Sequence, residues 1–163
     1  MKSELLKRRT ITALGAVGLA ATVLVSTPAN ADDSGRLGSV KLAAAGGATC
    51  IATPQNPHRS SGQPDGRILF KTRVTCQSTY PSVTVHLNGR LELGPRMGPR
   101  QVMTTSSQTQ VIKNGKTATF YTPLEGGKQV RRAGSYTGVI SGQITAPKPG
   151  NIDTGLSQTL YVN

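Results

Sequence analysis

The chain has no tryptophan, two cysteines, two histidines, and 7 acidic residues against 19 basic ones. Each shortage narrows the function. His58 and His86 come with no His-x-x-x-His, no Cys-x-x-Cys and no acidic loop at ligand spacing, so no metal site is predicted. The carboxylates Asp32, Asp33, Asp65, Glu92, Glu125 and Asp153 lie mostly in turn or terminal contexts, which speaks against the facing pair that glycoside hydrolysis needs. Serines are plentiful, yet none sits in Gly-x-Ser-x-Gly, the strained elbow of a nucleophile. The one catalytic alternative, a hydrolase, would assemble Ser, His58 or His86, and Asp65 or Asp153 in space. No cofactor motif is present.

Aromatic residues are equally sparse, with four tyrosines and two phenylalanines. Phe70, Phe120 and Tyr136 are expected in the core. That leaves Tyr80, Tyr121 and Tyr161 for the surface, too few for a row of stacked bases or sugars. With no binding motif and no aromatic interleaving, a dedicated nucleic-acid partner is not expected. No stretch after the leader shows a helical 3.6-residue period, and no repeat appears.

The first 31 residues have three parts. A basic head runs to Arg9, an apolar run covers 11–25, and Ala29-Asn30-Ala31 closes the segment. This is the layout of a secretory signal peptide. The apolar run is about 15 residues, short of the roughly 20 that span a bilayer as a helix. Cleavage is expected after Ala31, leaving no transmembrane segment after processing. The paired Arg8-Arg9 leaves both general and twin-arginine export open. Only Lys2, Lys7, Arg8, Arg9 and Glu4 leave with the leader, so the protein stays basic. An even cysteine count in an exported chain predicts a disulfide between Cys50 and Cys76.

Beyond the leader, 32–47 is expected to be a flexible segment, in which Val40, Leu42 and Ala44 could start a first strand. A single domain is expected over 48–163. Its organising stretch is 67–76, where Ile68, Phe70, Thr72, Val74 and Cys76 alternate with Lys71, Arg73 and Thr75, the period of a half-buried strand. Further strands are expected at 48–53, 82–93, 101–112, from 117 to the turn at 123, 133–145 and 155–162. Asn88-Gly89 tempts a hairpin reading. A two-residue turn there would put Arg90 opposite Leu87 and Glu92 opposite Val85, so one continuous strand with Gly89 as a bulge or close-approach site is preferred. At Asn114-Gly115 a hairpin is expected, pairing Val111 with Ala118 and Thr109 with Phe120. The Pro- and Gly-rich stretch 54–66 reads as a surface loop. About seven strands between Pro/Gly turns predict an all-β, antiparallel sandwich tied by one disulfide.

Gly134-Ser135-Tyr136 at the start of a strand is similar to the tyrosine corner of immunoglobulin-like domains. Together with the Ala-rich leader and one cysteine pair, it resembles the small secreted β-sandwich proteins of actinobacteria. That resemblance implies an immunoglobulin-like layout and a secreted or cell-wall-associated location. The chain departs from the immunoglobulin pattern in lacking tryptophan and in placing both cysteines early.

What is abundant is positive charge. Arg90, Arg96 and Arg100 cluster around a Gly-Pro loop, and Lys128, Arg131 and Arg132 precede the Tyr136 strand. These six are the candidate anion-binding residues, since arginine forks match the oxygens of phosphates and carboxylates. The expected function is non-catalytic association with the cell envelope, through an anionic cell-wall polymer or polysaccharide or another anionic surface. The alternative is a protein partner bound by the 54–66 loop, which the disulfide would pre-organise.

Overall fold

The computed structural model describes residues 36–61 and 66–163. The expected leader and Asp65 lie outside them. Eleven strands follow in order: β1 Arg36–Leu37, β2 Val40–Ala44, β3 Ala48–Pro54, β4 His58–Arg59, β5 Ile68–Gln77, β6 Ser82–Leu93, β7 Gln101–Lys113, β8 Thr117–Thr122, β9 Gly134–Ala146, β10 Asp153–Leu156 and β11 Leu160–Val162. They form two sheets. The first has the order β1-β10-β9-β6-β7, with β11 also on β9. The second has the order β2-β3-β5, with β4 and β8 also paired to β5. All pairings are antiparallel except the short β1–β10 contact.

The alternating patterns explain the layers. Ile68, Phe70, Val74 and Cys76 of β5 are fully buried, while Arg73 and Thr75 between them are exposed. Val83, Val85, Leu87 and Leu91 of β6 face them from the other sheet in one core cluster with Tyr136, Ile140 and Ile144 of β9. β6 runs unbroken through Asn88-Gly89, as the parity argument requires. A Cβ on Gly89 would lie 2.0 Å from Oγ1 of Thr122, so glycine is there to let β8 close on β6. Cys50 and Cys76 are direct register partners on β3 and β5 and form the disulfide. The bridge therefore ties neighbouring strands of one sheet.

Four expectations need correcting. The strand count exceeds seven partly because residues 36–47 are not a loose lead-in: Val40 and Leu42 of β2 are buried and β2 pairs with β3 along its length. The 155–162 stretch also divides, because Ser157 turns inward. Its backbone N–H donates to Gly138 O and its Oγ accepts from Gly138 N, both at 2.8 Å. The 54–66 stretch is not only a surface loop, since it contributes β4 and buries Pro57.

The fourth correction is the hairpin. Asn114-Gly115 does turn the chain, with Gly115 at φ 70° and Lys116 N donating to Lys113 O at 2.9 Å. The strands it joins pair elsewhere, however: Val111 with Thr84, and Ala118 with Val74. The turn carries the chain from one sheet to the other. β7 presents a polar inward row, and that row closes the edge of the sandwich. Ser106 Oγ meets Thr122 Oγ1 at 2.7 Å, Gln108 Nε2 donates to Tyr121 O at 2.8 Å, and Gln110 Nε2 donates to Thr119 O at 3.0 Å. The glutamine amides thus occupy carbonyls on the side of β8 away from β5, at an edge that would otherwise invite another strand.

Tyr136 is fully buried, and its hydroxyl donates to Arg132 O at 2.5 Å. The bond ties β9 to the segment that precedes it. Burial pushes its phenol above the ordinary 10.0, with Arg132 and Arg59 offsetting part of the rise. A raised folded-state value means its contribution to stability is fully present below pH 10 and is lost as pH rises past it. Tyr136→Phe is expected to lower stability by about 1 kcal/mol at neutral pH through the lost hydrogen bond. The same change should flatten the alkaline decline. Urea unfolding of both proteins at pH 8 and pH 11 checks this, and an unchanged alkaline slope would refute it.

Candidate anion-binding trough

The outward row of β6 carries Asn88, Arg90 and Glu92, opposite the core row of the same strand. Beside it, β9 turns Thr137 and Val139 to the same face. Both are nearly fully buried although they lie outside the sandwich core cluster. The 94–100 loop folds back sharply after β6. Gly94 takes φ 151°, and a Cβ there would stand 2.8 Å from Pro99 O. The result is a cavity of about 560 Å³ lined by Arg90, Glu92, Arg96 and Arg100 together with Thr137, Ser157 and Thr159. The Thr137 and Thr159 hydroxyls bond each other at 2.6 Å, and Ser157 Oγ donates to Gln158 O at 2.9 Å. A smaller depression continues it along Asn88, Ser141 and Thr154, sharing Arg90. Another, lined by Leu37, Arg96, Gln158 and Thr159, extends it past the loop. Together they form a trough along the outer face of the first sheet.

Its electrostatics centre on one carboxylate. Glu92 sits between Arg90 Nε at 3.3 Å and Arg100 Nη1 at 3.6 Å. Arg100 also donates to Pro95 O at 3.2 Å and Arg96 O at 2.7 Å, so it shapes the loop as well as charging it. Arg96 is exposed at the mouth. Three guanidinium groups against one carboxylate leave the trough positive. Leu37, Met97 and Val102 form an exposed apolar rim, and Met97 at the loop tip is 86% exposed.

Of the six candidate anion-binding residues, the fold brings Arg90, Arg96 and Arg100 together. Lys128 lines a neighbouring depression that shares Val102 with the trough. Arg131 and Arg132 do not line it. Their backbone carbonyls accept from Arg59 and Tyr136. Sequence reasoning missed Glu92, Thr137, Ser157 and Thr159. The outward parity of 90 and 92 pointed to Glu92, whereas the hydroxyls depend on which strands pair.

The histidines are apart from this site's chemistry. His86 Nδ1 meets Thr109 Oγ1 at 2.9 Å on the first sheet, and His58 Nδ1 bonds Asn56 O at 3.0 Å beside the second. Asp153 accepts from Thr154 N. Among the described residues, no group of three His, Cys, Asp or Glu side chains could hold a metal ion. No protein-family model and no curated protein matches the chain, so the trough is read from its own geometry.

Proposed function

We propose that this protein is an exported, non-catalytic β-sandwich domain of immunoglobulin-like layout that holds an anionic polymer of the cell envelope in the trough on its first sheet. The observation that carries the reading is the convergence of Arg90, Arg96 and Arg100 on one cavity that shares lining residues with a depression on either side. A compact anion would need one end of it. A polymer with repeating phosphate or carboxylate groups spans the cavity and its neighbouring depressions, pairing guanidinium forks with successive acid groups. The disulfide and the signal-peptide-like leader support an extracellular setting. The Tyr136 corner supports the immunoglobulin-like layout, from which the bridge within one sheet is a departure.

The test is co-sedimentation of the protein with purified cell walls, intact and stripped of teichoic acid, across a salt series. Binding is expected to fall steeply with salt and to vanish on stripping. Arg90→Gln with Arg96→Gln should weaken it about tenfold or more, each lost charge-assisted hydrogen bond counting for about 1.5–3 kcal/mol before solvent screening. Arg131→Gln with Arg132→Gln should change it far less. Equal losses in the two double variants would reduce the interaction to net charge and sink the trough.

A further inference from the structure

β7 ends the strand order of the first sheet and pairs with β6 alone. Which of its backbone groups face away from β6 follows from one bond at its end. Asn114 N donates to Pro81 O at 2.9 Å, and the register with β6 is unbroken from Lys113 back to Thr104. The N–H and C=O groups of Thr104, Ser106, Gln108, Gln110 and Ile112 therefore turn toward β6. Those of Thr105, Ser107, Thr109 and Val111 turn to the open side. The other strands that end a sheet are closed or short. Gln108 and Gln110 occupy carbonyls of β8. Asn151 closes β2: its Oδ1 accepts from Ala43 N, its backbone N–H donates to Ala43 O at 2.9 Å, and its Nδ2 donates to Lys41 O at 3.2 Å. β1, β4 and β11 are two or three residues long. β7 has 13 residues, no proline, and no charge before Lys113 at its end. Apart from one bulge at Met103, it lacks the usual guards of an edge strand.

We propose that this edge pairs with the same edge of a second copy of the chain, antiparallel about a two-fold axis at Ser107. The sequence of β7 fits its own reverse. Val102 and Met103 stand near one end and Val111 and Ile112 near the other, with Thr, Ser and Gln between. An axis at Ser107 sets Thr105 against Thr109 of the second copy, Val111 against its Val102-Met103 bulge, and Lys113 against its Gln101. No two cations within the paired strands are opposed. The same axis brings open-side residues to open-side residues, so the free backbone groups of both strands meet. Val111 is 68% exposed and Val102 47% exposed in the single chain, and the pairing gives each an apolar neighbour. A foreign strand would satisfy the backbone equally, but only the chain itself carries the matching apolar ends. The axis stands perpendicular to the sheet, so the two first sheets continue into one, with both troughs on the same side. The self-pairing does not depend on what the trough binds.

The experiment is sedimentation equilibrium of the protein, disulfide intact, over a concentration series at low and high salt. A dimer is expected that tightens as salt rises, because two basic copies then repel less. Wall binding should weaken with salt, so either reading can fail alone. Ser107→Pro removes a donor that faces the second copy and none that faces β6. It should weaken the dimer about tenfold or more, since each copy loses one ladder bond and the ring obstructs the approach. Ser107→Lys, at an exposed position, sets two lysines face to face at the axis and should also favour the monomer. Hydrogen exchange of the parent supplies the register: amides 105, 107, 109 and 111 should slow as the dimer forms, while 106, 108 and 110 stay protected throughout. A monomer at every concentration would overturn the proposal and leave the edge to a foreign strand. A dimer whose odd-numbered β7 amides still exchange freely would overturn it by placing the contact elsewhere.

Discussion

Replacing Cys50 and Cys76 together with alanine is expected to remove about 3.5 kcal/mol of stability, the loop-closure value for a bridge spanning 26 residues. A domain usually holds about 5–15 kcal/mol in all, and the melting temperature should fall by roughly 10–15 °C. The effect is large because of where the bridge sits. Both cysteines are fully buried, and they join β3 to β5 at a register pair. β2 is attached to the sheet through β3, so the bridge secures two strands at once. Hydrogen exchange should therefore rise first in β2 and β3, with β6 and β9 still protected. Equilibrium urea unfolding of the double variant and of the reduced parent protein measures the change. A loss below about 1 kcal/mol would mean that ladder hydrogen bonds and core packing hold the β2–β3 pair without the bridge.

The parts of the fold legible in the sequence are those where one row of a strand is plainly apolar. The rows of β5, β6 and β9 have that property, and so the continuous strand through Asn88-Gly89 could be argued against a strong turn signal. Gly138 and Gly142 fall in the inward row of β9, where Phe70 and Leu87 pack over the backbone. β7 defeats the same logic. Its inward row, Thr104, Ser106, Gln108 and Gln110, is polar, and alternation cannot show that its partners are side chains and carbonyls of β8. Turn chemistry at Asn114-Gly115 specifies four residues of backbone. It does not choose between pairing across the turn and crossing to the other sheet, a choice made by which apolar rows remain to be covered.

The candidate sites divide along the same line. Arg90, Arg96 and Arg100 are close in sequence, and one loop gathers them. Lys128, Arg131 and Arg132 look like a second cluster, but an extended chain spreads neighbouring side chains to opposite sides. On the second sheet, His58 is brought beside Leu69, and Lys71 beside Tyr121, only by the β4–β5 and β5–β8 registers. No local pattern marks such a set before the pairing is known.

Truncating Phe70 to alanine is expected to cost about 3–5 kcal/mol, the usual range for removing a fully buried aromatic side chain. Its ring is fully buried and packs directly over Gly138, where a Cβ would lie 2.7 Å from two ring carbons. The contact joins the central strand of the second sheet to β9 of the first, so it spans the core. Gly138→Ala alone should cost about 1–3 kcal/mol by overpacking, because neighbouring Thr72, Val74 and Ile140 are themselves buried and give the ring little room. The two changes occupy one space, so their effects should not add. With Phe70→Leu in place, the added methyl of Gly138→Ala meets a smaller side chain. The combined loss should fall short of the sum of the single losses by about 1 kcal/mol. Urea unfolding of the two single variants and the double variant completes the cycle. Strict additivity would show that the ring moves aside without cost, and that Gly138 serves the Ser157 hydrogen bonds rather than the packing of Phe70.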